Sequence, residues 1–457
     1  MLMTRRPLAL ALALLCLPFA AQADDLLQSY ELARASDPQF SAAESSRLIS
    51  REGAVQARAA LLPQVNGDAS YSRARSDSET GGAPFDAESD TTTRQLGVNL
   101  NQMVYDHGRI TRLRSQTALA TAADFQLEAA GDSLITRTSA AYFNVLIAIE
   151  TLTAAEAQEA ALKKQFDFAS KRLEVGLAPI TDVHEARAQY DSARANTIIT
   201  RNALEDAYRA LEEITGQDMR ALKALPQDFQ PELPSALEAS GWVQTAIDNN
   251  PGLKAKEYQL RSAEQNVESA RAGHYPTLYF GANYGRTRSD GDQSSSLTGL
   301  SNAFDSESRS RSVGLTLSVP IFAGGATQSQ VRSALAQRDV TNDELEQQKR
   351  ALVRNTRTAY ETLVAGISEV EARKAAVFSA RSAYEASQVG LEVGTRTVLD
   401  VLNNQQTLFN AEREYARSRY NFLQNRLQLE QAAGTLDIDD LQDVNRMLTV
   451  EAVAKSR

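Results

Sequence analysis

Residues able to do chemistry are few, and their spacing argues against catalysis. Three histidines, His107, His184 and His274, stand far apart and fit no metal-ligand spacing, and neither a nucleophile-elbow nor a phosphate-loop pattern occurs. Gly324-Gly325 reads as a strand-to-helix turn. The chain is therefore expected not to be an enzyme and to need no cofactor. What remains is charge gathered at two turns. One is Val175-Gly176 followed by Leu177 to Thr181 and Asp182-Val183; the other, 218 residues on, is Val393-Gly394-Thr395-Arg396-Thr397-Val398-Leu399-Asp400-Val401. Glycine permits the positive φ that ends one helix, and the Thr and Asp residues beyond suit the first turn of the next. Thr397-x-x-Asp400 reads as a capping box. Each turn is the expected tip of a helical hairpin.

Composition supports long helices behind those tips. Of 457 residues 23% are charged and only 6% aromatic, thin for several compact cores. Arg5 and Arg6, an apolar run from Leu8 to Ala20 and Ala21-Gln22-Ala23 form a secretory signal peptide over residues 1–23. A lipoprotein reading of Cys16 is disfavoured by Leu15 before it. Cleavage after Ala23 removes this single cysteine, so the mature chain has no disulfide. Losing Arg5 and Arg6 takes the formal charge from −10 to −12, which argues against nucleic acid as a partner. No later run is long and apolar enough for a membrane helix, so any crossing of a membrane is made by strands.

In chain order, a helix broken at Asp37-Pro38 leads to alternating segments expected as strands at about 64–75 and 93–104, separated by a polar loop from Ser76 to Thr92 that contains Gly81-Gly82-Ala83-Pro84. From His107 to Ala178 is 72 residues without a proline, roughly 108 Å if one helix. Leu127, Leu134, Ala141, Ala148, Ala155, Leu162 and Ala169 form a seven-residue repeat in it, with Val145, Leu152, Phe166 and Leu173 four places later. The return helix ends at Gly216. Prolines at 226, 231 and 234 mark a linker, 226–240.

The pattern then repeats. With an offset of 213, Pro38 and Pro63 fall on Pro251 and Pro276, and Tyr71, Arg73, Arg75, Ser76 and Asp77 on Tyr284, Arg286, Arg288, Ser289 and Asp290. The first repeat spans 24–225 with its hairpin at about 107–215. The second spans 241–435, with strands at about 277–288 and 311–321 and a hairpin at about 324–433. A polar tail, 436–457, is expected to be weakly ordered. Tyr71 and Tyr284 towards one strand end, and Tyr105, Tyr275 and Phe322 towards the other, suit aromatic girdles. Four strands cannot close a membrane barrel, which needs at least about eight, so copies must associate. A soluble β-sandwich with one wet face could not accommodate the long helices.

Nearly the whole mature chain resembles the TolC-like outer-membrane channel-tunnel family. The likeness is carried by Leu61-Leu62-Pro63-Gln64, Ala141-Tyr142-Phe143-Asn144-Val145-Leu146, Val175-Gly176-Leu177 with Ile180-Thr181-Asp182-Val183, Ala186-Arg187-Ala188-Gln189-Tyr190-Asp191, and Val393-Gly394-Thr395-Arg396-Thr397 with Asp400-Val401-Leu402. The resemblance implies a mostly α fold with a β-barrel part, each repeat giving two membrane strands and a long periplasmic helical hairpin. It implies a homotrimer with a 12-stranded barrel in outer-membrane lipid and a 12-helix tunnel across the periplasm. The implied function is an exit duct for type I secretion or multidrug efflux, engaged by a periplasmic adaptor and an inner-membrane ABC or proton-driven pump. The rival from another class is a non-conducting coiled-coil scaffold or adaptor spanning the periplasm, which leaves the strand pairs unexplained.

The same resemblance assigns roles at the tips. Thr181, Asp182 and Arg396 match residues that tie neighbouring hairpins shut, and Arg396 can hold a carboxylate bidentately. Asp400 matches an acidic position that forms a cation-attracting ring in the family pore. Two positions depart from the family: Asn403 replaces a second acid, and Leu391 a gate tyrosine. Arg172, Val175, Gly176, Gly390, Val393 and Gly394 match the adaptor-docking surface. Solvated surface charges and plain helix stops are the simpler readings of these residues.

Overall fold

A computed structural model describes residues 25–79, 86–177, 179–235, 238–295 and 300–452. The signal segment with Cys16, Gly81-Gly82-Ala83-Pro84 and Ala178 lie outside the described residues. The chain forms two compact units. One runs up to Glu44, takes in Leu127–Pro251 and resumes at Lys349; the other comprises Ser45–Gln126 and Gly252–Gln348.

The first unit is helical. It holds α1 (Leu26–Ser36), the start of α2 (Pro38–Ala59), most of α3 (His107–Glu174) and α4 (Ile180–Thr215). After the two-residue strand β3 (Lys223–Ala224) come α5 (Ala239–Asn249) and Pro251, the first residue of α6 (Pro251–Arg271). Most of α7 (Ala326–Glu392) follows, then α8 (Val398–Ala433), α9 (Ile438–Met447) and β6 (Val450–Glu451). α3 is unbroken for 68 residues, about 102 Å. The seven-residue row explains its packing: Leu134, Ala141, Ala155, Leu162 and Ala169 are all buried. Its core gathers Tyr142, Phe143 and Leu146 from α3, Leu204 and Leu211 from α4, and Tyr420, Leu423 and Leu427 from α8.

Polar side chains pin the connection between the repeats onto this core. Tyr142 Oη accepts from the Lys223 amide at 2.8 Å, and Tyr420 Oη accepts from the Leu225 amide at 3.4 Å. Buried Arg419 donates to both carboxylate oxygens of Glu150, at 2.9 and 2.8 Å, and to the Pro226 carbonyl at 3.0 Å. The helix ends are matched between repeats. Gly216 and Gly434 both take positive φ, and Gly434 also lies so close to Asn250 that a Cβ would come within 2.6 Å of its Cα.

The polar tail is not weakly ordered up to residue 452. Asp437 caps α9 in a reciprocal box with Asp440, and Leu441, Val444 and Leu448 are buried at helical spacing. β6 then pairs antiparallel with β3. Three apolar residues in a polar stretch suffice because the core beneath them is already formed.

The second unit contains a four-stranded antiparallel sheet, β1 (Gln64–Glu79), β2 (Asp86–Tyr105), β4 (Thr277–Ser295) and β5 (Leu300–Ser318), in the order β1-β2-β4-β5. Much of the expected polar loop from Ser76 to Thr92 is strand, paired from Ser76↔Ser89 to Glu79↔Asp86. β4 and β5 likewise continue to Ser295↔Leu300, and β5 ends at Ser318 rather than near 321. These stretches are mostly polar, Phe304 apart, and ion pairs such as Arg73 with Asp90 and Arg288 with Asp305 cross between the strands.

The rest of α2 and α6 and the first turns of α3 complete this unit among the helices, with the opening of α7. Ser115 and Ser262 hydrogen bond through their hydroxyls at 2.8 Å, and Phe125 stacks on Tyr258 at 5.5 Å. Asp106 ties sheet to helix: its carboxylate caps α3 at the Arg109 amide (3.1 Å) and accepts from Tyr279 Oη at 2.6 Å.

Candidate functional site

Side chains alternate across a strand, so residues paired in register share a face. One face of the sheet carries Val65, Leu100, Ala282 and Val313 at one level, and Leu96, Val98, Leu315 and Leu317 nearby. Most of these apolar side chains are exposed in the single chain, Val313 to 73% and Leu315 to 66%, while Leu100 and Ala282 are half-buried. The opposite face is polar. There Asn283 donates to Asn99 and Asn99 to Asp68, each at 2.9 Å, linking three strands. β1 and β5 lie at the sheet's two edges, each paired on one side only.

At the first tip, Gly176 (φ 72°) ends α3 with a paired turn: its amide donates to the Leu173 carbonyl and the Leu177 amide to the Arg172 carbonyl. The Arg172 guanidinium donates to the Leu177 carbonyl at 3.2 Å and lies over Phe168 at 5.6 Å. Asp182 stands in the first turn of α4, yet no side chain caps this helix at Pro179. Among the described residues the side chains of Thr181 and Asp182 have no hydrogen-bond partner, and Arg396 and Asp182 form no ion pair within the chain.

The second tip is more tightly knotted. Gly394 (φ 79°) ends α7, and the Gly390 carbonyl accepts from the amides of Thr395 (2.8 Å) and Arg396 (3.1 Å) and from Thr395 Oγ1 (3.2 Å). Gly390 is buried, and nothing in the sequence pattern distinguished its carbonyl as the organising acceptor. The capping box is present: Asp400 Oδ2 accepts from the amide and hydroxyl of Thr397, each at 2.9 Å, and Thr397 Oγ1 accepts from the Asp400 amide. These bonds, with Arg396 nearby, hold the Asp400 carboxyl below the usual range, so it is charged at neutral pH. Oδ1 stays outside the cap.

Val401, Leu402 and Gln405 are buried, whereas Asp400 and exposed Asn403, three residues apart, share another face of α8. Leu402 packs with Leu162 and Ala193, joining the two hairpins just behind their tips. Gln158 and Gln406 hydrogen bond there as well. The tips themselves expose apolar side chains: Val175, Leu177 and Ile180 on one, Val389, Val393 and Leu399 on the other. Among the described residues no cluster of His, Cys, Asp or Glu is arranged to hold a metal ion.

A four-stranded sheet joined to duplicated helical hairpins defines the architecture of outer-membrane channels. The chain is similar to the Campylobacter jejuni CmeC outer membrane channel (TM-score 0.76, 18% identity, covering 93% of this chain and 90% of that one). It is also similar to the outer membrane protein VceC of Vibrio cholerae (TM-score 0.71, 20% identity, 90% and 96%). The chain belongs to the outer membrane efflux protein family, whose model matches residues 29–217 and 242–435. Among curated relatives it is 34% identical to outer membrane protein TolC of Vibrio cholerae, covering 97% of this chain and 98% of that protein. It is 30% identical to the alkaline protease secretion protein AprF of Pseudomonas aeruginosa, over 91% and 86%.

Proposed function

We propose that this protein is an outer-membrane exit duct for secretion and efflux, built from three copies of the chain. The carrying observation is the sheet: four strands, one face apolar and exposed, the other polar, with two edges free. Three such sheets joined β5 to β1 make a 12-stranded barrel whose apolar face meets lipid and whose Asn-rich face lines a wet lumen. The six hairpins then form a 12-helix periplasmic tunnel.

The tips form the gate and the dock. Copies of Asp400 surround the pore and attract cations, with Asn403 contributing polarity but no second ring of charge. Arg396 reaches Asp182 of a neighbouring hairpin in the closed state, and Thr181 supports that contact. Val175 and Val393, with Arg172, Gly176, Gly390 and Gly394 shaping the turns, receive a periplasmic adaptor that couples the duct to an inner-membrane ABC or proton-driven pump. Relatives that serve protease secretion, and others named for efflux, support both kinds of traffic.

The test is recovery of heat-modifiable trimers from the outer-membrane fraction, followed by single-channel recording in a planar bilayer. Small cation-selective steps are expected. Soluble monomers, or inserted trimers that never conduct even with Arg396→Ser, would overturn the duct.

A further inference from the structure

The apolar face of the sheet does not end in neutral side chains. Past it, on the same face and towards the sheet end at Glu79↔Asp86 and Ser295↔Leu300, lie Arg73 and Arg75 on β1 and Arg94 on β2. Arg286 and Arg288 on β4 and Arg309 and Arg311 on β5 continue the line. Relative to β2 the line slants. Arg311 sits opposite Tyr284, which itself faces Val98, whereas Arg73 faces Thr92, nearer the Glu79↔Asp86 end. A line lying parallel to a membrane must cross strands obliquely in this way, because barrel strands tilt about 35–45° from the axis.

Beyond the arginines comes a second, acidic tier. Arg73 holds Asp90 at 3.0 and 2.6 Å, Arg288 holds Asp305 at 3.2 and 2.7 Å, and Arg286 and Arg309 share Glu307 at 3.0 and 2.8 Å. Arg94 reaches Asp290 at 3.1 Å, and Arg75 reaches Glu88. In every pair the carboxylate lies nearer than its arginine to the Glu79↔Asp86 and Ser295↔Leu300 end of the sheet.

Strand pairing alone does not account for this arrangement. Charges serving only the ladder would face their opposites, because like charges directly across are destabilising. Arg75 faces Asp90 and Arg288 faces Glu307, but Arg94 faces Arg288, Arg286 faces Arg309, Asp90 faces Asp292 and Asp290 faces Asp305. The signs are sorted by depth, positive next to the apolar band and negative beyond it. A guanidinium carries five N–H donors, of which a bidentate carboxylate uses two, so the side turned to the apolar band keeps donors in hand. Arg311 has no carboxylate partner among the described residues and lies over Tyr284 at 5.7 Å; Arg94 lies over Tyr71 at 5.9 Å.

We propose that this arginine belt is a binding surface for the phosphate-bearing headgroups of outer-leaflet lipids. It rests on the reading of the apolar face as the lipid face of a barrel. Phosphates at the rim of the apolar band accept from the arginines, whose planar forks suit phosphate oxygens, while Tyr71 and Tyr284 sit at the same boundary. The acidic tier beyond holds six of the seven guanidinia in place and keeps the outermost surface open to divalent cations between neighbouring headgroups. The same Tyr-x-Arg-x-Arg spacing in both repeats supplies the belt twice per chain.

The test uses the full-length protein reconstituted with diphosphorylated lipid A or with the same lipid after phosphate removal. Retained lipid is counted by native mass spectrometry after a detergent wash. The phosphorylated form is expected to be retained about tenfold better, a difference of about 1.4 kcal/mol. Arg73→Gln/Arg286→Gln/Arg311→Gln removes that advantage, the matching Lys variant keeps most of it, and millimolar inorganic phosphate does not displace the lipid. Equal retention of both lipids by the parent protein overturns the proposal even if the Gln variant fails to insert. So does displacement by inorganic phosphate. Conductance of the same reconstituted parent is recorded in parallel: a conducting protein indifferent to lipid phosphate loses only the belt, and one that does not insert loses both readings.

Discussion

A Cβ on Gly390 would lie 2.6 Å from Cγ of Arg396, so the missing side chain at one residue sets where the guanidinium arm of the other begins. Gly390→Ala is therefore expected to push Arg396 off its stem position and to raise closed-state conductance in bilayers. Arg396→Ser should do the same, and combining the two should add little. An unchanged closed-state conductance in both single variants would remove Arg396 from the gate.

Asp400 serves the helix cap and, on the proposed reading, the pore, and two substitutions separate the roles. Asp400→Asn keeps an acceptor for Thr397 but loses the charge; Asp400→Ala loses both. Block by divalent cations should vanish in each, while only Ala should speed amide exchange at residues 397–400. Because hydrogen bonding holds this carboxyl below its ordinary value near 4, block in the parent should still be present at about pH 4, where an ordinary carboxyl is half protonated, and fade only as pH falls further.

Arg419 is 4% exposed and carries the Glu150 pair, so Arg419→Met leaves a carboxylate with Tyr420 as its remaining partner. A loss of about 2–3 kcal/mol is expected in denaturant unfolding, less than for a fully buried pair because Glu150 is 31% exposed. Adding Glu150→Leu should restore most of it.

Glu430 gives the first unit a predictable pH response. Burial is the main cause lifting its pKa to about 7, Asp440 and Asp437 add to the rise, and Arg426, 3.2 Å away, opposes it. Unfolded, the group titrates near 4.3, so the folded state favours the proton between these values. Stability should fall as pH rises from about 4.3 to 7, by about 4 kcal/mol in all, and then level off. Glu430→Gln should flatten that slope in unfolding measurements from pH 4 to 8.

Legibility in the sequence followed the physical signal available. The row through Leu134, Ala141 and Leu162 betrayed α3 because burial recurs every seven residues along one local element. The strand ends past Arg75 and Arg288 lay outside the expected strands because the residues there are mostly polar, and what holds them includes Arg73 with Asp90 and Arg288 with Asp305, partners that no local pattern announces. α9 was missed for a related reason: Leu441 and Val444 gain meaning only against a core assembled from distant helices. At the tips the turn glycines and the Thr397 box were readable from residue types, whereas the three bonds converging on the Gly390 carbonyl depend on chain geometry.

The two tips of one chain are unequal. One carries an Asp182 with no side-chain partner among the described residues and an uncapped helix start; the other carries Asp400 in a capping box and the Gly390 knot. In the proposed trimer such tips would alternate in kind around the ring, uncapped then capped, so a docking partner would meet a surface with a phase. A partner with three identical contacts can seat on either set and must choose; one with six must itself come in two conformations.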